Sequence, residues 1–118
     1  MASLEMQGAY DLTNGKIDEL IANDCPGNYA LGIISPKTGK FAVEYVGRSE
    51  TDLNARLKEH VGKHSKFKFS LAASPKEAFE KVCKNFHDFG GSKKLRNNVH
   101  PTPSAGSGWK CPFCDKLG

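Results

Sequence analysis

The chain has 118 residues, 38% of them hydrophobic and 25% charged, with a formal net charge of +4. That length suits one domain able to bury roughly two-thirds of its unfolded surface, and the composition excludes wholesale disorder. No apolar run approaches the roughly 20 residues of a membrane span, and no basic segment followed by an apolar one opens the chain, so the expected compartment is cytoplasmic. There the four cysteines are expected as thiols or metal ligands rather than disulfides.

In chain order, the first ten residues read as a loose tail. Thr13 or Asn14 is placed to cap a short helix over about 16–22, with Ile17, Leu20 and Ile21 on one side. Cys25-Pro26-Gly27 breaks the chain. Two β-like runs follow. Residues 28–35 put Tyr29, Leu31 and Ile33 on one face, and residues 40–46 put Phe41, Val43 and Tyr45 on one face. Pro36-Lys37-Thr38-Gly39 between them is a turn sequence, so the pair reads as a hairpin.

Ser49-Glu50-Thr51-Asp52 has capping-box spacing, and the helix after it is expected to reach Val61 and stop at Gly62. Residues 66–71 alternate as a third strand, with Phe67, Phe69 and Leu71 on one face. Ser74-Pro75-Lys76-Glu77 opens a second capped helix. That helix buries Phe79, Val82, Cys83 and Phe86 and ends at Gly90-Gly91. The rest is loop-like. The pattern predicts an α+β domain with a small, mostly antiparallel three-stranded sheet flanked by helices, its core over about 16–100 and a tail over about 101–118.

Charge is unevenly spread. Residues 1–55 carry 4 Lys+Arg against 8 Asp+Glu, whereas residues 56–96 carry 11 against 4. A basic segment favours polyanions through phosphate contacts and counterion release, although a solvated lysine-rich surface has the same composition.

Gly27-Asn28-Tyr29 in the first predicted strand and Tyr45-Val46-Gly47 ending the second, followed by Arg56 and His60 on a capped helix, together resemble the GIY-YIG nucleases over about 27–100. The resemblance implies a three-stranded antiparallel sheet flanked by helices and hydrolysis of DNA phosphodiesters with one Mg2+ or Mn2+ ion. It implies that Tyr29 and Tyr45 line the active site, that one of them or His60 helps to activate water, and that Arg56 holds the scissile phosphate. Asn98 resembles the family's late asparagine, which helps order the site. A guanidinium fork matches phosphate oxygens, which gives the role assigned to Arg56 a physical basis. Arg48, Lys63, Lys66 and Lys68 are candidate contacts to DNA, or alternatively to RNA.

The sequence departs from the family at the metal ligand. The family's metal ligand is a glutamate on the helix after the third strand, and Val82 takes that place. Glu80 is rotated about 200° from it, and Glu77 lies a little over a turn earlier. A hard divalent ion takes carboxylate oxygen, which valine lacks. Two functions are therefore expected in competition: a metal-dependent DNA endonuclease, and a nucleic-acid-binding module with an impaired site.

Cys111-Pro112-Phe113-Cys114 has the spacing of half a zinc site, and Cys83 and His87 lie at i and i+4 on one predicted helix. Cys83, His87, Cys111 and Cys114 are the expected ligands of a structural Zn2+ that staples the tail to the domain. His100 is the rival fourth ligand. A buried Cys83 acting as a small hydrophobe and a redox-active Cys-x2-Cys are the competing readings, and Cys25 is left as a structural thiol.

Overall fold

A computed structural model of the protein describes residues 6–22 and 24–89. Its elements are β1 (Gln7–Asp11), α1 (Asn14–Leu20), β2 (Gly27–Ile34), β3 (Phe41–Ser49), α2 (Leu53–Lys58), β4 (Lys66–Leu71) and α3 (Pro75–Asp88). Among the described residues, four strands form one antiparallel sheet in the order β1-β4-β2-β3.

Side-chain caps set the helix starts. Thr13, one of the two expected caps, accepts from the Lys16 amide, and α1 starts at Asn14, two residues earlier than expected. Ser74 accepts from the Glu77 amide at α3, with Pro75 in the first turn, as the sequence predicts. At α2 the cap is Asp52, which accepts from the Ala55 amide, while Ser49 Oγ takes the Asp52 amide at 2.9 Å. The α2 helix also ends early, at Lys58 rather than Val61. The amides of Glu59, His60 and Val61 bond three residues back, to Arg56, Leu57 and Lys58. These tighter bonds satisfy the last carbonyls and draw the chain into a turn.

The fourth strand corrects two expectations. Gln7–Asp11 is not a loose tail but edge strand β1, and the sheet is not three-stranded. Its sequence has no apolar alternation because only Tyr10 needs to pack, with its ring 5.7 Å from Phe67 and 6.1 Å from Phe69. Asp11 at the end of β1 pairs with Lys66 of β4.

The sheet separates two apolar clusters. Tyr29, Leu31, Phe67 and Phe69 meet Ile17 and Ile21 with Leu53 and Leu57 on the face covered by α1 and α2. Ala30 and Val46 meet Val82 and Phe86 of α3 on the other face. The hairpin closes as expected, with the Ser35 amide bonded to Lys40 O and Gly39 at φ 70°.

One pairing breaks the simple alternation of β3. Leu31 pairs with Tyr45 but Gly32 pairs with Val43, so Glu44 is an extra, bulged residue. Tyr45 consequently joins the α1/α2 face, whereas Phe41 and Val43 join the α3 face. Strict alternation over 40–46 places all three on one face, and the bulge is what parts them. No helix among the described residues is long and apolar enough to cross a membrane.

Leu57→Ala is expected to destabilise the domain by about 2–5 kcal/mol, since the side chain is fully buried. Leu71→Ala, at a position 60% exposed, is expected to change stability by about 0.5 kcal/mol or less. Urea denaturation of both variants tests this division of the apolar residues.

Candidate functional site

The two motif tyrosines meet because their strands are neighbours. Tyr29 pairs with Gly47 across the β2–β3 ladder, and Tyr45 pairs with Leu31 one step along the same face. The rings are nearly parallel, 16° apart, with centroids 6.3 Å apart. A Cβ on Gly47 would overlap the Tyr29 ring, so the second motif's glycine makes room for the first motif's tyrosine. Gly27 is equally constrained, lying against Ser70 O and Leu53 Cδ2.

His60 completes the cluster from the turn after α2. Its Nε2 lies 3.1 Å from the Tyr29 hydroxyl, and its ring sits 5.4 Å from Tyr29 and 5.5 Å from Tyr45. Burial pushes the Tyr29 phenol well above its usual range, with Tyr45 adding to the shift, so Tyr29 stays protonated at neutral pH. Burial also holds His60 below its ordinary value, and the charge of Lys63 adds to this, which favours the neutral imidazole. A neutral imidazole and a phenol share one hydrogen bond in either tautomer. In the tautomer with the proton on Nε2, Nδ1 is left as a base.

The expected basic residues divide between the two faces. Arg56 lies beside the cluster, its side chain 49% exposed and 3.4 Å from Glu59. Lys63 is exposed in the turn whose amide bonds His60 O. Arg48, Lys66 and Lys68 belong to the opposite, α3 face, since they pair with Asn28, Gly32 and Ala30. Arg48 is paired with Glu50 at 2.7 Å and lies over Phe79. Lys66 is paired with Asp11, and Lys68 lies over Phe41. The sheet therefore separates these three from the tyrosines.

Position 82 is also on the far face. Val82 is buried with Ala30, Val46 and Phe86. Glu77 and Glu80 line a cavity on that face with Asn28. Neither carboxylate stands in the tyrosine cluster, so neither replaces the family's glutamate there. The described residues gather no group of three or more His, Cys, Asp or Glu side chains able to hold a metal. Among the described residues, Glu59, the partner of Arg56, is a carboxylate whose charge reaches both Tyr29 and His60.

Cys83 is fully buried and His87 is exposed, one turn apart on α3. Their helical spacing fits half of a zinc set. Asn98, His100, Cys111 and Cys114 lie outside the described residues.

Sequence reasoning missed Glu44 and His64. His64 Nδ1 lies 3.0 Å from Glu44 Oε1, with side chains 8% and 23% exposed. The bulge that re-aims Tyr45 also frees Glu44 from strict alternation. The available signal was a second histidine four residues after His60. A carboxylate fixes the tautomer and orientation of the imidazole it contacts, so this pair adds an oriented histidine close in sequence to His60.

No family model, no curated protein and no solved structure matches this chain.

An NMR titration of His60 is expected to give a midpoint below 6.5. With its folded value lowered, the unfolded chain takes up the proton first. His60 therefore contributes stability above about pH 6.5, and that contribution is lost as pH falls through the folded value. A midpoint at or above 6.5 would contradict the cause assigned here. Gly47→Ala is expected to displace the Tyr29 ring and cost about 1–3 kcal/mol. Gly15→Ala, with open space around it, is expected to be neutral or slightly stabilising. Thermal melts of the two variants make the comparison.

Proposed function

We propose that this chain is a GIY-YIG-type endonuclease that hydrolyses DNA phosphodiesters at the Tyr29–His60–Tyr45 cluster. The observation that carries the reading is the 3.1 Å contact between Tyr29 and His60 beside the Tyr45 ring. The two motif strands and the segment after the capped helix supply these groups together, and packing alone does not call for a buried phenol on an imidazole.

The chemistry follows from the groups. His60, neutral at physiological pH, accepts a proton from the attacking water at Nδ1. Tyr29 holds the ring by its Nε2 bond. The exposed Arg56 guanidinium forks the phosphate oxygens and stabilises their developing charge. Lys63 adds positive charge at the same rim. DNA is the expected substrate and RNA the alternative.

Val82 favours a second reading, in which the chain binds nucleic acid without cutting it. A buried valine in place of the carboxylate weakens metal-assisted steps sharply. In both readings Cys83 and His87 of α3, with Cys111 and Cys114, hold a structural zinc, and His100 is the alternative to His87. Such an ion supplies folding energy rather than catalysis.

Purified protein is expected to nick supercoiled or branched DNA in magnesium or manganese. Tyr29→Phe and His60→Ala are expected to lower the rate by about 10²–10⁴-fold, the usual range for general acid–base groups, and Arg56→Ala also to abolish most activity. Intact DNA with either metal, together with salt-sensitive binding, would establish the second reading instead. Absence of both cleavage and binding would reject the two. Metal analysis is expected to find one zinc per chain, lost in Cys111→Ser and Cys114→Ser.

A further inference from the structure

We infer that His64, oriented by Glu44, is the general acid that protonates the leaving oxygen of the phosphodiester. This role rests on the hydrolysis proposed above and completes its proton balance.

The pair has a fixed back and an open front. His64 Nδ1 lies 3.0 Å from Glu44 Oε1, and the two side chains are largely shielded from water. A carboxylate only accepts, so Nδ1 carries a proton and Nε2 is the nitrogen left for chemistry. Nε2 has no hydrogen-bond partner among the described residues, yet it stays in touch with solvent. An imidazole held from behind by a carboxylate, with its other nitrogen open, is arranged for proton transfer.

Both members of the pair are tied to the tyrosine cluster. Glu44 is the bulged residue immediately before Tyr45. His64 belongs to the turn that carries His60, in which Val61 bridges to His64 and the Lys63 amide bonds His60 O at 3.0 Å. That turn follows α2, and Tyr45 packs on the face that α2 covers. The contact between Glu44 and His64 is therefore made on the tyrosine side of the sheet. The imidazoles are close enough for the charge of His64 to act on His60.

The reaction needs what this pair can give. A DNA strand leaves as an alkoxide, a poor leaving group until it is protonated. His60 is bonded to Tyr29 and takes the proton of the attacking water. An in-line displacement puts the leaving oxygen on the far side of phosphorus from that water, so a second group must serve it. Two titratable groups in contrasting environments divide base and acid roles. His60 is desolvated without a carboxylate bonded to its ring, whereas His64 is backed by one. As the bond from the water oxygen to phosphorus forms and the bond to the leaving oxygen breaks, the His64 imidazolium passes its Nε2 proton to that oxygen. Glu44 stabilises the imidazolium beforehand. Water loses one proton, the departing alcohol gains one, and exchange with solvent resets both histidines.

The test uses the full chain and a duplex that it cuts, remade with sulfur in place of the leaving oxygen at the scissile bond. A thiolate departs without a proton. His64→Gln is expected to slow cleavage of the ordinary duplex by about 10²–10⁴-fold and of the sulfur duplex by about twofold or less. His60→Gln is expected to slow both. Glu44→Gln keeps the shape of the pair and is expected to slow only the ordinary duplex, by about tenfold, the worth of one charge-assisted hydrogen bond. It keeps the test decisive if His64→Gln fails to fold. Equal slowing of the two duplexes by these two changes, or slowing of neither, would overturn the role of His64 and leave the hydrolysis standing. A wild-type chain that cuts no duplex would remove the hydrolysis itself, and this role with it.

Discussion

Strand β2 is paired on both edges and covered on both faces. It hydrogen-bonds to β3 and β4 along nearly its whole length. Residues 27–32 are buried throughout, so every side chain there must suit its layer. Tyr29 and Leu31 serve the α1/α2 layer, while Asn28 and Ala30 serve the α3 layer. A one-residue slip of this strand would exchange the two sets. It would then bury the amide of Asn28 among leucines and turn the Tyr29 hydroxyl away from His60. Both the tyrosine cluster and the cavity under α3 rest on this one register.

The same two-sidedness puts position 82 on the far side of the sheet from the tyrosines. The tyrosines and His60 sit on one layer, whereas α3, on which the resemblance puts the carboxylate, packs on the other. Val82 fills core space there with Phe86. Any carboxylate acting at the tyrosines must come from another element. Glu44 shows how such a residue can be re-aimed without leaving its strand. Its bulge releases it from alternation and brings it to His64.

The burial of the site also shapes its chemistry. Tyr29 is 2% exposed, so its hydroxyl is kept protonated and bonded within the protein. His60 is partly open and kept neutral by desolvation. Arg56 and Lys63 remain in water, where they can meet a phosphate with little desolvation to overcome. The arrangement grades from dry and neutral at the tyrosine to wet and cationic at the rim.

Much of the fold was legible in the sequence because local chemistry fixes it. The Ser74-Pro75 start of α3, the turn at 36–39, and the strands at 27–34 and 66–71 all follow from caps, turn residues and alternation. Strand β1 was not legible, because it is held by its partner β4 rather than by any pattern of its own. The bulge at Glu44 was not legible either, and it reversed the face assigned to Phe41 and Val43 relative to Tyr45. The early end of α2 and the separation of Arg48, Lys66 and Lys68 from the tyrosines belong to the same class. Sequence by itself determined which segments are helix or strand and which residue types bear the chemistry, since those depend on neighbours along the chain. Only the tertiary structure decided which residues share a face, because register, bulges and edge pairing are set by contacts between segments distant in sequence.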